Sequence, residues 1–447
     1  MQIVASPVYN LCPEKWNSII PNNHKTFFFK ILLILNFFAN STLISAYSFS
    51  TSYSMPLLQT LSSGPLKVAV IGSGNWGSVI GKIVASNAKT SYIFDENVRI
   101  WVYEELIEGK KLTEIFNQKH ENVKYLPGVP LPENLTAHSS LKDTIRDANL
   151  LVFVIPHQFL KSTCETIKAF NFNFTNTKAI SLVKGLYIDN NNNPKLSSEL
   201  ISEILGLDCS VLSGANVAKD VAKEEFSEAT IGFDDKESAD VWQQLFDKPY
   251  FKITGVPDIS GVEVCGALKN VIALAAGFCD GMDMGSNTKA AIIRQGFEEL
   301  RLFSTLFYNG TLEDTFFDSA GIADTITTCF GGRNLRCAAE FVKSKGTKSW
   351  SQIESEFLNG QKLQGTLTCY DLFKIITSKS LEQLFPLFTV TYKIAYEGMS
   401  SDELINEFKV KKLRRIKSYD DCTLCVLPAI FKDKKKENGI NYPKCNS

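Results

Sequence analysis

From Lys67 onward the chain alternates short apolar runs with polar or glycine-rich breaks. Lys67-Val-Ala-Val-Ile71, Val98-Arg-Ile-Trp-Val-Tyr103, Leu150-Leu-Val-Phe-Val-Ile155, Ala179-Ile-Ser-Leu-Val183 and Ser210-Val-Leu-Ser213 are short and rich in β-branched residues. Runs of that kind predict strands covered on both faces, the habit of a parallel sheet. Each stops at a turn or polar signal: Gly72, Glu104-Glu105, Pro156, Lys184-Gly185 and Gly214-Ala-Asn216. After about Pro257 the spacing changes, and Val262 to Phe278 and Ala290 to Phe307 repeat their apolar positions at helical period over lengths that strands do not reach. The pattern predicts an α/β domain over 67–256 followed by an all-α domain over 257–408, which would carry the substrate and the catalytic groups.

The exit of the first strand gives the α/β domain its chemistry. Gly72-Ser73-Gly74-Asn75-Trp76-Gly77 stands between that strand and the helical run Ser78 to Val84. Gly72 allows the tight turn, Gly74 leaves room for a pyrophosphate beside the backbone, and Gly77 lets helix and strand pack closely while the helix N-terminus faces the phosphates. The motif alone is weak, but its strand and helix context is present, so a Rossmann dinucleotide site is expected. Glu104 and Glu105, after the second strand, are candidates to accept the adenosine ribose hydroxyls, which favours NAD over NADP. Ligands in open α/β sheets lie beyond the C-terminal strand ends, which nominates Phe159, Lys184 and Asn216 as neighbours around one crevice.

The two ends read differently. In residues 1–66 a basic, aromatic start (Lys25, Phe27-Phe-Phe-Lys30) runs into Ile31-Leu-Leu-Ile-Leu35, too short an apolar stretch to span a bilayer. Two readings stand: a targeting or anchor segment, or an upstream stretch left out of a protein that starts at Met55. The tail, 409–447, is basic and carries Cys422-x-x-Cys425 with Cys445; with no histidine after His157 it does not offer four zinc ligands, and no metal site is expected. The 47 Lys and Arg balance 48 Asp and Glu to a net charge of -1, which argues against a general affinity for nucleic acid. Eleven cysteines in 447 residues are too dilute for a disulfide scaffold and favour a reducing, cytoplasmic compartment; a targeted or membrane-anchored form through the extension stays open.

With these residues in view, the chain resembles the NAD-dependent glycerol-3-phosphate dehydrogenases of the eukaryotic soluble type. Six blocks between Lys67 and Phe408 carry the likeness: the glycine turn, His120-Glu-Asn-Val-Lys-Tyr-Leu-Pro-Gly128, Ile155-Pro-His-Gln-Phe159, Cys265-Gly-Ala-Leu-Lys-Asn270, Gly331-Gly-Arg-Asn334 and Gly360-Gln-Lys-Leu-Gln-Gly365. The resemblance implies reversible reduction of dihydroxyacetone phosphate by NADH to sn-glycerol 3-phosphate, a step linking glycolysis to glycerolipid synthesis and NAD regeneration, usually in a homodimer. It implies Lys269, Lys184 and Asp324 as the catalytic group. Lys184, Asn216, Asn270, Thr328, Arg333 and Asn334 would hold the substrate. The glycine-turn residues 72–77, Tyr103, Phe159, Ala218, Arg333, Lys362 and Gln364 would hold NAD.

Residue chemistry agrees with these roles. Reducing a ketone by hydride needs an acid for the developing alkoxide and a cationic surround. A lysine is a sluggish acid at neutral pH unless burial and a second cation lower its pKa; Lys269 stands among Val264, Ala267, Leu268, Val271 and Ile272, with Lys184 as the expected second cation. Arg333 offers a planar fork for a phosphate. The chain departs from the family at Thr366-Leu-Thr-Cys369, where Pro-Glu-Thr is usual, which predicts a looser closing loop. Two further readings are an NAD(H)-sensing regulator that has lost rapid turnover and a sibling dehydrogenase acting on another hydroxy acid.

Overall fold

A computed structural model describes residues 64–358 and 362–410. The N-terminal extension up to residue 63, the tail beyond residue 410 with its Cys-x-x-Cys, and residues 359–361 of the sixth block lie outside the described residues.

Eight strands form one sheet: β1 Val68–Ile71, β2 Val98–Trp101, β3 Leu135–His138, β4 Leu150–Phe153, β5 Lys178–Ser181, β6 Cys209–Ser213, β7 Ser227–Gly232 and β8 Phe251–Val256. Their order is β3-β2-β1-β4-β5-β6-β7-β8. The first six run parallel, in the order of a Rossmann sheet. β7 turns back antiparallel to β6, and β8 follows β7 in parallel. The central strands β1 and β4 are buried along their whole lengths, as their unbroken apolar runs require. β3, β7 and β8 escape the sequence pattern because they stand toward the sheet's two ends and mix polar with apolar positions; β8 alternates buried and exposed residues through its first half. Helix α1, Asn75–Ala88, follows the glycine turn and buries Val79, Ile80, Ile83 and Val84.

The helical half is organised around α2, Ile259–Gly281, whose residues from Gly261 to Cys279 are all buried. A helix apolar all round belongs in the centre of a bundle. By length and composition α2 is apolar enough to cross a membrane, but here its apolar window is wholly buried in the protein. Around it lie α3 Ser286–Phe307, α4 Asp324–Gly331, α5 Arg333–Lys343, α6 Gln364–Ser378 and α7 Pro386–Tyr396. Small residues set the closest approach: a Cβ on Gly277 would lie 2.4 Å from the Leu335 carbonyl of α5, and one on Gly281 2.7 Å from that of Ala339. Asp258 starts α2 by accepting the Gly261 N–H at 2.7 Å, and the same carboxylate takes Leu312 N–H at 2.9 Å and the Thr315 hydroxyl at 2.7 Å. One turn along, buried Glu263 reaches back to the α/β half, accepting Ser197 N–H at 2.5 Å and the Ser198 hydroxyl at 2.6 Å. Two carboxylates therefore fix the direction in which α2 leaves the sheet.

Candidate active site

The crevice lies beyond the ends of β5 and β6, where α2 packs against β6. Lys184 follows β5, and Asn216 follows β6. α2 can press onto this edge because Gly266 has no side chain: a Cβ there would stand 2.7 Å from Ser213 Oγ and 3.8 Å from Lys184 Cγ. One turn further, Lys269 reaches the same place. Its Nζ donates to Asp324 Oδ1, while Lys184 Nζ donates to Asp324 Oδ2 at 3.0 Å. The side chains of Lys269 and Asp324 are 7% and 3% exposed and that of Lys184 26%, so one buried carboxylate bridges a buried and a half-buried cation. Such a cluster persists only when the charges satisfy one another.

Burial pulls the Lys269 ammonium well below the ordinary lysine value; Asp324 opposes that pull and Lys184 adds to it. The outcome is a lysine that gives up its proton far more readily than a solvated one. Asp324 reaches the cluster through a wide π-helical turn, Ser319–Ala323, immediately before α4. Ser319 Oγ pins this turn to the sheet, donating to the Glu228 carbonyl at 2.9 Å and accepting Ala215 N–H at 3.2 Å.

Beside this cluster Asn216 is 9% exposed, and its Nδ2 is buried with no hydrogen-bond partner among the described residues. An orphaned buried amide is costly, and an oxygen-rich ligand in the crevice satisfies it. Thr328 lies one turn beyond Asp324 on α4, at the edge of burial. Asn270 Oδ1 accepts Asn334 Nδ2 at 2.8 Å, and Asn334 Oδ1 accepts Gly365 N–H at 2.9 Å, a chain that ties α2, α5 and α6 together. Arg333 is exposed at the first position of α5.

The glycine turn occupies the next part of the same edge. Gly72 has φ +116°, and a Cβ on it would stand 2.4 Å from the Val154 carbonyl; a Cβ on Gly77 would stand 2.1 Å from the Gly72 carbonyl. Gly74 is exposed and, among the described residues, has nothing within 4 Å of that position, which fits a cradle for phosphates. Tyr103 beyond β2 and Phe159 beyond β4 are 73% and 55% exposed, two uncovered aromatic faces beyond the strands that flank β1. Ala218 opens a short helix after β6. Gln364 Nε2 meets His157 Nδ1 at 3.0 Å, joining the start of α6 to the loop that carries Phe159. These features fit a dinucleotide laid across the switch point between β1 and β4.

Two family models match the chain, the NAD-dependent glycerol-3-phosphate dehydrogenase N-terminus over residues 67–239 and its C-terminus over residues 258–406. The chain belongs to the NAD-dependent glycerol-3-phosphate dehydrogenase family. Among its relatives, the human cytoplasmic NAD(+) enzyme is 49% identical over 341 residues, covering 76% of this chain and 96% of that one. The Arabidopsis thaliana chloroplastic NAD(+) enzyme is 47% identical over 350 residues, 78% of this chain and 86% of that one. The solved glycerol-3-phosphate dehydrogenase of Plasmodium falciparum superposes with a TM-score of 0.77 at 48% identity, covering 80% of this chain and 99% of that one.

Within this family frame, the structure shows which further partners several of the nominated side chains have. Glu104 and Glu105 already have partners inside the protein. Glu104 accepts Thr113 N–H at 3.2 Å and the Thr113 hydroxyl at 2.6 Å, closing the start of helix Leu112–Lys119; Glu105 accepts the Tyr125 hydroxyl at 2.6 Å and pairs with Lys124. The Trp76 ring packs edge-on against Phe251 with centroids 6.1 Å apart. The Asn334 side chain bonds both Asn270 and Gly365, and its backbone N–H lies in the first turn of α5. Lys362 holds Glu354 at 2.9 Å with its side chain 61% exposed. Thr366 to Cys369 are not loop: they lie inside α6, where the Thr366 hydroxyl donates to the Leu363 carbonyl at 2.8 Å. The missing proline therefore falls in the first turn of a helix, where a residue's N–H has no partner within the helix. His157 and Ser319 were missed as positioning groups, since neither contact partner is near in sequence.

Proposed function

We propose that this member of the family catalyses the reversible reduction of dihydroxyacetone phosphate to sn-glycerol 3-phosphate, with Lys269 as the general acid. The observation that carries the assignment is the Lys184–Asp324–Lys269 cluster beside the orphaned Asn216 amide, on the same sheet edge as the glycine cradle. NADH, when bound, supplies the hydride. As the ketone carbon is reduced its oxygen gathers negative charge, and the Lys269 ammonium stabilises that charge and hands over a proton. Lys184 keeps the surroundings cationic, so the proton leaves Lys269 easily; Asp324 holds both amines in place. Asn216 donates its free N–H to a substrate oxygen, with Asn270 and Thr328 lining the same wall. Arg333 and the first turn of α5 clamp the phosphate, with Arg333 serving the cofactor side as well. In the reverse direction the neutral Lys269 amine takes the proton from the alcohol.

The test is NADH absorbance decay with dihydroxyacetone phosphate, with unphosphorylated dihydroxyacetone and with NADPH in place of NADH. Rapid oxidation restricted to NADH with the phosphorylated ketone is expected. NADH binding without turnover would instead favour a regulator, and turnover of another hydroxy acid a sibling dehydrogenase.

The working assembly is a homodimer, supported by the exposed apolar positions Ile322, Ile326 and Phe330, spaced to share one side of the turn and helix around Asp324. Light scattering across a concentration series is expected to give twice the chain mass. The compartment is cytoplasmic, as in the human relative; a full-chain fluorescent fusion compared with one starting at Met55 reads whether residues 1–54 redirect it.

A further inference from the structure

We propose that Asn122 is a positioning residue for the dinucleotide, a lock on the peptide plane that presents the Gly74 N–H to the pyrophosphate. The proposal rests on the NAD reading of the glycine turn. Asn122 is fully buried, more than 40 residues from that turn in sequence, and its Nδ2 donates to the Ser73 carbonyl at 2.8 Å and to Ser78 Oγ at 2.9 Å. Its Oδ1 accepts Tyr125 N–H at 3.1 Å, and the Tyr125 carbonyl accepts Asn75 Nδ2 at 2.9 Å. The segment carrying these groups is closed on itself: Leu131 N–H donates to the His120 carbonyl at 2.7 Å, Leu126 N–H to the Asn122 carbonyl at 2.9 Å, and Gly128 N–H to Glu121 Oε1 at 2.7 Å. Tyr125 also donates from its hydroxyl to Glu105, so the same segment holds the chain beyond β2.

Peptide planarity converts this contact into a function. The Ser73 carbonyl and the Gly74 N–H belong to one planar, trans unit and point in opposite directions. Holding the carbonyl inward against Asn122 and Ser78 therefore holds the Gly74 N–H in the opposite direction, at an exposed residue where a Cβ would meet nothing within 4 Å among the described residues. Glycine at 74 gives that plane little resistance to flipping, and a flipped plane would set a carbonyl oxygen against a phosphate. Ser78 Oγ donates to the same carbonyl at 3.2 Å, and Asn122 adds the shorter bond from a distant segment before any ligand arrives, which keeps the ordering cost out of binding.

The experiment measures NADH affinity by fluorescence on the full chain, without substrate, for wild type, Asn122→Ala and Asn122→Asp. The aspartate keeps the side chain's size and the acceptor for Tyr125 N–H but loses the Nδ2 donor toward the Ser73 carbonyl, so it separates the lock from packing. Both variants are expected to weaken NADH by about ten-fold or more, the scale of one lost buried hydrogen bond. At saturating NADH, kcat and the KM for dihydroxyacetone phosphate should stay within about three-fold of wild type. A folded Asn122→Asp that binds NADH as wild type does would overturn the lock, as would a variant that loses ketone affinity in equal measure. Failure of wild type itself to bind NADH would instead strike at the NAD reading.

Discussion

The two halves of the crevice are built on opposite plans. The phosphate cradle is local and open: Gly72, Gly74 and Gly77 lie within six residues of chain, and a Cβ on Gly74 would meet none of the described residues within 4 Å. The acid cluster is long-range and closed: Lys184 and Lys269 stand 140 and 55 residues from the Asp324 that joins them, and Lys269 and Asp324 are buried. Binding an anion calls for exposed backbone donors that cost nothing to keep hydrated. Moving a proton calls for a lysine deprived of water, which only surrounding elements can provide. Substitutions on the two sides should accordingly fail in different ways.

The largest effect is expected at Lys269. Lys269→Met should lower kcat by about 10²–10⁴-fold while NADH affinity stays near wild type. Near wild-type turnover in that variant would remove Lys269 as the acid. Next in size, Asp324→Asn leaves Lys269 buried without its counter-charge, and a denaturant melt should show a loss of about 3–5 kcal/mol, the usual cost of breaking a buried pair from one side. If stability were unchanged, the cluster would not be the closed, interdependent unit described above. On the open side, Gly77→Ala forces a methyl to within 2.1 Å of the Gly72 carbonyl and should weaken NADH by about ten-fold or more, with the catalytic group untouched. Equal losses of ketone and NADH affinity would erase the distinction between the halves.

The gentlest probe is pH. Reduction needs Lys269 protonated, so its kcat should hold on the acid side and fall as pH rises through the lowered Lys269 value. Oxidation of glycerol phosphate needs the free amine and should rise over the same interval. A solvated lysine would delay both changes to about pH 10. Steady-state profiles in both directions locate the inflection, and one near the solvated value would mean that burial does not tune this lysine.

Much of this was legible in one dimension, and the residues that were not share a physical cause. Strands β1, β2, β4, β5 and β6 could be read because central parallel strands are apolar without interruption, whereas β7 and β8, at the sheet's end, mix polar residues into the run. The glycine turn could be read because its constraint is steric and local. Glu104 and Glu105 read as candidate ribose acceptors at a strand end, and only the fold shows that Thr113, Tyr125 and Lys124 from a later segment also bond them.

The sequence by itself determined the α/β-then-α order, the position of the phosphate cradle and the identity of the lysines and arginine available for chemistry. These follow from periodicity, backbone sterics and side-chain type, which need no neighbours. Tertiary structure decided which charges meet and which are spent. It set Asp324 between two amines, left Asn216 with an unanswered donor, consumed the Asn334 side chain inside the bundle and brought Asn122 against the Ser73 carbonyl. Proton affinity and hydrogen-bond availability depend on distance and burial, and both arise only when segments far apart in the chain pack together.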